Sequence, residues 1–198
     1  MTLYDLINYV TKFLALGTIV LHVVLLAYVV VFIGARFCKC MKNFKANLDD
    51  FISKQLAYLI LFLSFGGMVA SLFYSEIALY EPCVLCWYQR IFMYPLVFLA
   101  IAAILYKKAK PFLSVYAMPL IFFGLLIGIY QVLAKVIATF TSVNVDKFLP
   151  CSTDPGAVSC LTDYFVEFGY VTIPVMSLTL FVFLTIVTVI AFMKEKRG

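Results

Sequence analysis

The run "EPCVLCWYQRIFMYPLVFLAIAAILY", Glu81 to Tyr106, holds both of its charged residues, Glu81 and Arg90, in its first ten positions. From about Cys86 to Tyr106 it is long and apolar enough to cross a bilayer as a helix, which takes roughly 20 residues. Four further stretches read the same way: Phe13 to Ile33, Leu56 to Tyr74, Phe112 to Leu133, and about Val171 to Met193. Composition agrees, since 65% of the 198 residues are hydrophobic and only 13% are charged. A soluble domain carries about a quarter charged residues, so this chain lacks the polar surface to cover a globule. A helix satisfies its own backbone hydrogen bonds in lipid and an open sheet does not; the alternation of a membrane barrel is absent. The expected fold is an all-α integral membrane protein with five transmembrane helices.

The basic residues orient those helices. The connection from Arg36 to Lys54 carries Arg36, Lys39, Lys42, Lys45 and Lys54; a later one carries Lys107, Lys108 and Lys110; the tail carries Lys194, Lys196 and Arg197. With alternating spans these fall on one side. The other side receives Lys12, Arg90, Lys135 and Lys147 together with most of the acidic residues. The positive-inside rule puts the N-terminus outside and the C-terminus in the cytoplasm. The net charge of +5 therefore reflects topology, and no nucleic-acid surface is expected. The first span is too long for a cleavable signal and has most of its flanking charge after it. The chain divides into residues 1–54, a leading span with its basic connection, and residues 55–198, which hold the other four spans.

Topology sorts the six cysteines into three pairs. Cys38 and Cys40 face the cytoplasm, where thiols stay reduced, and are read as idle. Cys83 and Cys86 lie outside, between spans two and three. Cys151 and Cys160 lie in the long outer segment between spans four and five. The four outer thiols read as two disulfides, Cys83–Cys86 and Cys151–Cys160, or as one relay. Pro82 suits the first turn of a helix, which sets Cys83 and Cys86 at the start of span three. Unpaired amides there favour a thiolate. Arg90 lies one turn past Cys86 on the same face, where it would stabilise that thiolate or charge on a reduced acceptor. A structural zinc site built from the four thiols is the weaker alternative, and no metal is expected.

Other residues carry less. His22, the sole histidine, is read as a helix contact. Gln131 and Lys135 share a face near the outer end of span four and suit a polar bond between helices, with a contact to the head group of an electron acceptor as the second reading. Gly124 and Gly128 are spaced for close helix packing. Asp154-Pro155-Gly156 signals a turn between the second pair of cysteines. Leu161, Tyr164, Phe165 and Phe168 recur at helical spacing, as either a short amphipathic helix on the leaflet or a loop folded back onto the spans.

The stretch "PCVLCWYQRIFMYPL" resembles the first cysteine motif of the DsbB/BdbC family of membrane disulfide-generating proteins, closest to its BdbC-like branch. "GYVTIPVMSL", Gly169 to Leu178, resembles that branch's entry into its last span. The resemblance covers about Lys54 to Met193 and implies a DsbB-like four-helix bundle formed by the last four spans; the leading span is extra to it. It further implies a bacterial cytoplasmic (inner) membrane protein supporting disulfide bond formation. Such a protein reoxidises an extracytoplasmic thioredoxin-like dithiol oxidase (DsbA/BdbD-like) and passes electrons to a membrane quinone, ubiquinone or menaquinone. By motif position Cys86 would lie nearest the quinone, with Arg90 supporting that site. Cys83 would exchange with the second pair, Cys151 would engage the partner, and Cys160 would resolve toward Cys83. The competing class is a non-enzymatic membrane interaction protein with two inert disulfides in its outer loops. A quinone-linked epoxide reductase fits less well, because WYQR follows the second cysteine.

Overall fold

A computed structural model describes residues 2–106, 112–140 and 158–196. Its helices are α1 (Leu3–Gly34), α2 (Lys39–Leu72), α3 (Val84–Leu105), α4 (Leu113–Phe140) and α5 (Ile173–Glu195). A π-helical turn, Phe73–Ile77, extends α2. All five are long and apolar enough to cross a membrane. Among the described residues the only strand-like pairing is one bridge, Glu167 to Val171. The all-helical, five-span expectation therefore holds.

Helices α2 to α5 close a ring in which each touches the next and α5 returns to α2, while α1 lies outside against α5 and α2. The ring encloses Ile60, Leu96, Ile121, Phe181 and Leu184, all essentially inaccessible. Lipid is as apolar as these side chains, so close packing, more than the hydrophobic effect, holds such a bundle together. Gly124 shows how. A Cβ there would lie 2.2 Å from the Phe181 ring, so only glycine lets that ring seat against α4. Gly128, one turn on, brings the α5 backbone close, with the Leu178 Cα 3.4 Å from where its Cβ would be.

Both ends of α1 depart from the hydropathy reading. The helix starts at Leu3, well before the apolar span, because Thr2 and Asp5 form a reciprocal capping box that satisfies two orphan amides. Beyond Gly34 only four residues intervene before α2 begins at Lys39. Most of the basic connection is thus helical, and α2 runs unbroken through Lys54. Lys45–Asp49 and Asp50–Lys54 pairs support this stretch at i,i+4 spacing. Along α1 the buried positions are Thr11, Ala15 and Thr18. They and His22 form a narrow stripe of small and polar residues facing the bundle, and most of the helix faces lipid.

The segment 158–172 decides between the two readings of its aromatics. Residues 161–168 form no helix; they are a loop folded back onto the bundle. It ends in a tight turn where Phe168 (φ 49°) and Gly169 (φ 80°) both adopt left-handed backbone, and the Tyr170 amide donates to the Glu167 carbonyl at 3.2 Å. Two positive φ values in succession define a type I′ turn, which glycine at the second position makes accessible. Helical spacing of aromatics is thereby overridden by turn chemistry. The aromatics instead pack on the residues before α3.

Candidate active site

The site is built at the start of α3. Cys83 is the N-cap, with extended backbone (φ −66°, ψ 165°), and its sulfur accepts the Cys86 amide at 3.4 Å. Pro82 therefore lies just before the helix; the sequence reading placed it one step too deep. Capping by the sulfur turns the Cys83 side chain onto the first helical turn, where it meets Cys86. The two Sγ atoms are 2.8 Å apart, and both residues are free thiols here. Cys83 is buried and Cys86 half-buried. The hydrogen bond to Cys86 and, after it, burial push the Cys83 thiol up, so of the pair it is the one that keeps its proton.

A third group faces the sulfurs. Gln131, from α4, is 2% exposed and points its amide Nε2 at Cys83 Sγ (3.5 Å) and Cys86 Sγ (3.7 Å). The sequence read Gln131 as a polar bond between helices, with a quinone contact second. Its role at the thiols was missed because no local pattern tells which helix faces α3. Gln89 was also missed: it is buried, and its Oε1 accepts the Ser177 hydroxyl at 2.9 Å. A polar residue inside a membrane helix is the signal that could have flagged both.

Arg90 lies one turn deeper than Cys86 and is 7% exposed. Its guanidinium donates to the Ser71 carbonyl at 3.1 Å and lies 5.0 Å from the Trp87 ring centroid. Ser71 is in the turn where α2 passes into the π-helical turn. A change from i−4 to i−5 bonding disturbs the ladder at such a place, and its carbonyl turns to side chains, the Ser75 hydroxyl at 3.3 Å included. Arg90 Nε and Gln89 Nε2 are buried donors with no partner. Arg90 lies beside the half-exposed Trp87 ring, where its free Nε is a donor that a carbonyl-bearing molecule entering from lipid would satisfy; Gln89 Nε2 faces α4 at Gly128 instead.

The folded-back segment brings a further cysteine in. Cys160, 3% exposed and disulfide-bonded, packs in one apolar cluster with Cys83, Leu85 and Ala134. Cys151, assigned as its partner from the sequence, lies outside the described residues. Lys135 anchors the segment through an ion pair with Asp163. Tyr164 stacks on Tyr80 (centroids 4.4 Å apart, planes 4° apart) and donates to the Glu81 carbonyl at 2.9 Å. Cys83, Cys86 and Cys160 are thus brought together, with Arg90 beside them.

Fold and site together define a multi-pass helical membrane protein with a thiol pair capping one span. The chain belongs to the DsbB family, described as disulfide bond formation protein DsbB, which matches residues 53–191. A probable disulfide formation protein of Oceanobacillus iheyensis is 36% identical over 149 residues, covering 73% of this chain and 94% of its own length. Probable disulfide formation protein C 1 of Bacillus anthracis is 38% identical over 119 residues, 60% of this chain and 78% of its own length. The SPbeta prophage-derived disulfide bond formation protein B of Bacillus subtilis is 37% identical over 124 residues, 63% and 76% respectively. No solved structure matches the chain. Helix α1 lies wholly ahead of the family match.

Proposed function

We propose that this protein is a thiol:quinone oxidoreductase that reoxidises an extracytoplasmic thioredoxin-like dithiol oxidase and so sustains disulfide bond formation. The carrying observation is the Cys83–Cys86 contact of 2.8 Å at the mouth of α3, faced by the Gln131 amide and sharing an apolar cluster with Cys160. In this reading residues 55–198 are the reacting unit and residues 1–54 an addition to it. The Cys83 end faces outward from a bacterial cytoplasmic membrane, as does the N-terminus, and the C-terminus is cytoplasmic.

Exchange proceeds by in-line attack of thiolates. A thiolate of the reduced partner attacks Cys151 and expels Cys160; the partner's second thiol then displaces Cys151, so the partner leaves as a disulfide and Cys151 and Cys160 end reduced. A Cys160 thiolate then attacks Cys83 in a Cys83–Cys86 disulfide and expels Cys86 as thiolate. Cys151 next attacks Cys160, which restores the Cys151–Cys160 disulfide and releases Cys83 as a thiol. Two electrons have moved to the α3 pair. A bound membrane quinone supplies the acceptor for those two electrons, with two protons taken up. Gln131 holds the thiolate form by donating to it, and Arg90 offers an unpartnered donor toward the acceptor. In this reading Cys86, one turn from Arg90, is the sulfur that reacts with the acceptor.

The test is quinone reduction by purified, dithiol-reduced protein, followed by absorbance. The wild-type chain should reduce quinone and Cys86→Ser should not; a Cys86→Ser protein that still did so would overturn the reading.

A further inference from the structure

We propose that α1 is a positioning helix for exchange between the two cysteine pairs, acting through Thr11 and His22 on the segment that carries Cys160. This deepens the function proposed above and rests on it. The helix touches the segment's surroundings at two separate points, and each is a polar contact on a helix otherwise given to lipid.

The first point is Thr11. Its hydroxyl accepts from the Tyr74 hydroxyl at 3.3 Å, a buried contact. Tyr74 stacks on Tyr80 (5.8 Å, 8°), Tyr80 stacks on Tyr164 (4.4 Å, 4°), and Phe165 lies 5.4 Å from Tyr74. Tyr164 closes the path by donating to the Glu81 carbonyl, two residues before Cys83. A continuous run of rings therefore joins α1 to the residues on both sides of the cysteine contact.

The second point is His22. Its Nε2 is 2.8 Å from Thr179 Oγ1 and its Nδ1 is 3.2 Å from the Tyr170 hydroxyl. The Thr179 hydroxyl already donates its one proton to the Val175 carbonyl at 2.8 Å, so it accepts from His22. That puts the imidazole proton on Nε2 and leaves Nδ1 to accept from Tyr170. The ring is a bridge with defined polarity, from α5 on one side to Tyr170, just past the tight turn that ends the segment, on the other. Thr11 reaches the segment through Tyr74 and Phe165, and His22 reaches it at Tyr170, both on the stretch that follows Cys160. In lipid such polar contacts fix the register of a helix that no hydrophobic driving force fixes.

The role predicts a split between two electron routes. Reduced thioredoxin, a protein dithiol, would enter through the second pair and use the exchange step. Dithiothreitol, in a Cys151→Ser, Cys160→Ser background, would reduce the Cys83–Cys86 disulfide directly. The full chain carrying Thr11→Val and His22→Leu should turn over about ten-fold more slowly with thioredoxin, in kcat rather than KM, since small misplacements of reacting groups cost this much or more. The dithiothreitol route should be unchanged. His22→Gln, which keeps a donor and an acceptor, should recover most of the loss. Equal rates by both routes in the variants and wild type, or an equal loss by both, would overturn the proposal.

A trap decides the matter without quinone. In Cys86→Ser, Cys151→Ser protein, mild oxidation should form a Cys83–Cys160 disulfide, and adding the two α1 substitutions should slow its formation about ten-fold, in line with the turnover loss. An unchanged trapping rate would refute the positioning role. If the wild type reduced quinone by neither route, the proposed function would fall while the trap still reported on α1.

Discussion

The two ends of the bundle solve polarity differently. At the end formed by the α2 start and the α5 tail, charges meet at exposed or half-buried positions: Asp50 pairs with Lys54 at 2.7 Å and with Lys194, and Lys45 pairs with Asp49. At the Cys83 end the polar groups are buried: Gln89, Gln131 and Arg90 are all under a tenth exposed. Exposed pairs contribute about 0–1 kcal/mol each. A buried polar atom left without a partner costs about 1–3 kcal/mol. The first end tolerates exchange of its residues, and the second constrains each one to a particular neighbour. Function concentrates where the constraint is.

Arg90 should give the largest difference between the ends among residues that are not cysteines. Arg90→Leu removes a full positive charge one turn from Cys86, and quinone reduction should fall about 100-fold, the usual cost of losing one donor to developing charge. Arg90→Lys should recover little, because the contact with Ser71 and the placement over Trp87 use a planar, multiply donating group. Steady-state rates at saturating quinone would measure both. Gln131→Leu should come next, with a loss of about ten-fold or somewhat more, since a hydrogen bond to a charged group contributes about 1.5–3 kcal/mol. A Gln131→Leu protein with wild-type rates would show that the amide merely fills space.

A pH series sharpens the same contrast within the thiol pair. The Cys83 thiol is pushed up by its bond to Cys86 and by burial, so its thiolate fraction at neutral pH is small and grows only as pH rises. Iodoacetamide added to the reduced protein near neutrality should label Cys86 first, and Cys83 should follow only in alkaline solution. Mass mapping of the labelled peptides reads the order. Labelling of Cys83 ahead of Cys86 near neutrality would reverse the assignment of the two sulfurs.

Much of this was legible in the chain. Five apolar runs gave the five helices, and the C-x-x-C with Arg90 one turn on gave the mouth of α3 because the relation is local. Partners across the bundle were not legible. Nothing near Gln131 says that it faces Cys83, 48 positions away, and the stack of Tyr80 on Tyr164 depends on how a loop folds back. For the loop the chain left two readings open. Its aromatics recur at helical spacing, but two positive φ values at Phe168 and Gly169 end any helix there, and the rings find tyrosines to stack on. The helical start at Lys39 was hidden for a different reason: a hydropathy reading detects lipid-facing helix and passes over the charged turns that precede it.

The smallest expected effect belongs to the opposite end. Asp50→Asn removes the carboxylate shared by Lys54 and Lys194. Its hydrogen bonds to Lys194 and Lys54 hold the Asp50 carboxyl together with two cations, yet the side chain is 41% exposed, so solvent screening takes most of the pairing energy. The expected effect is a slight drop in Tm that should shrink further in high salt. Thioredoxin-driven and dithiothreitol-driven turnover should both stay at wild-type levels. A loss of turnover as large as that of Gln131→Leu would mean that the two ends are coupled through α2. That helix joins Asp50 to the Ser71 carbonyl under Arg90, and a shift along its axis is a rigid route by which such a coupling would travel.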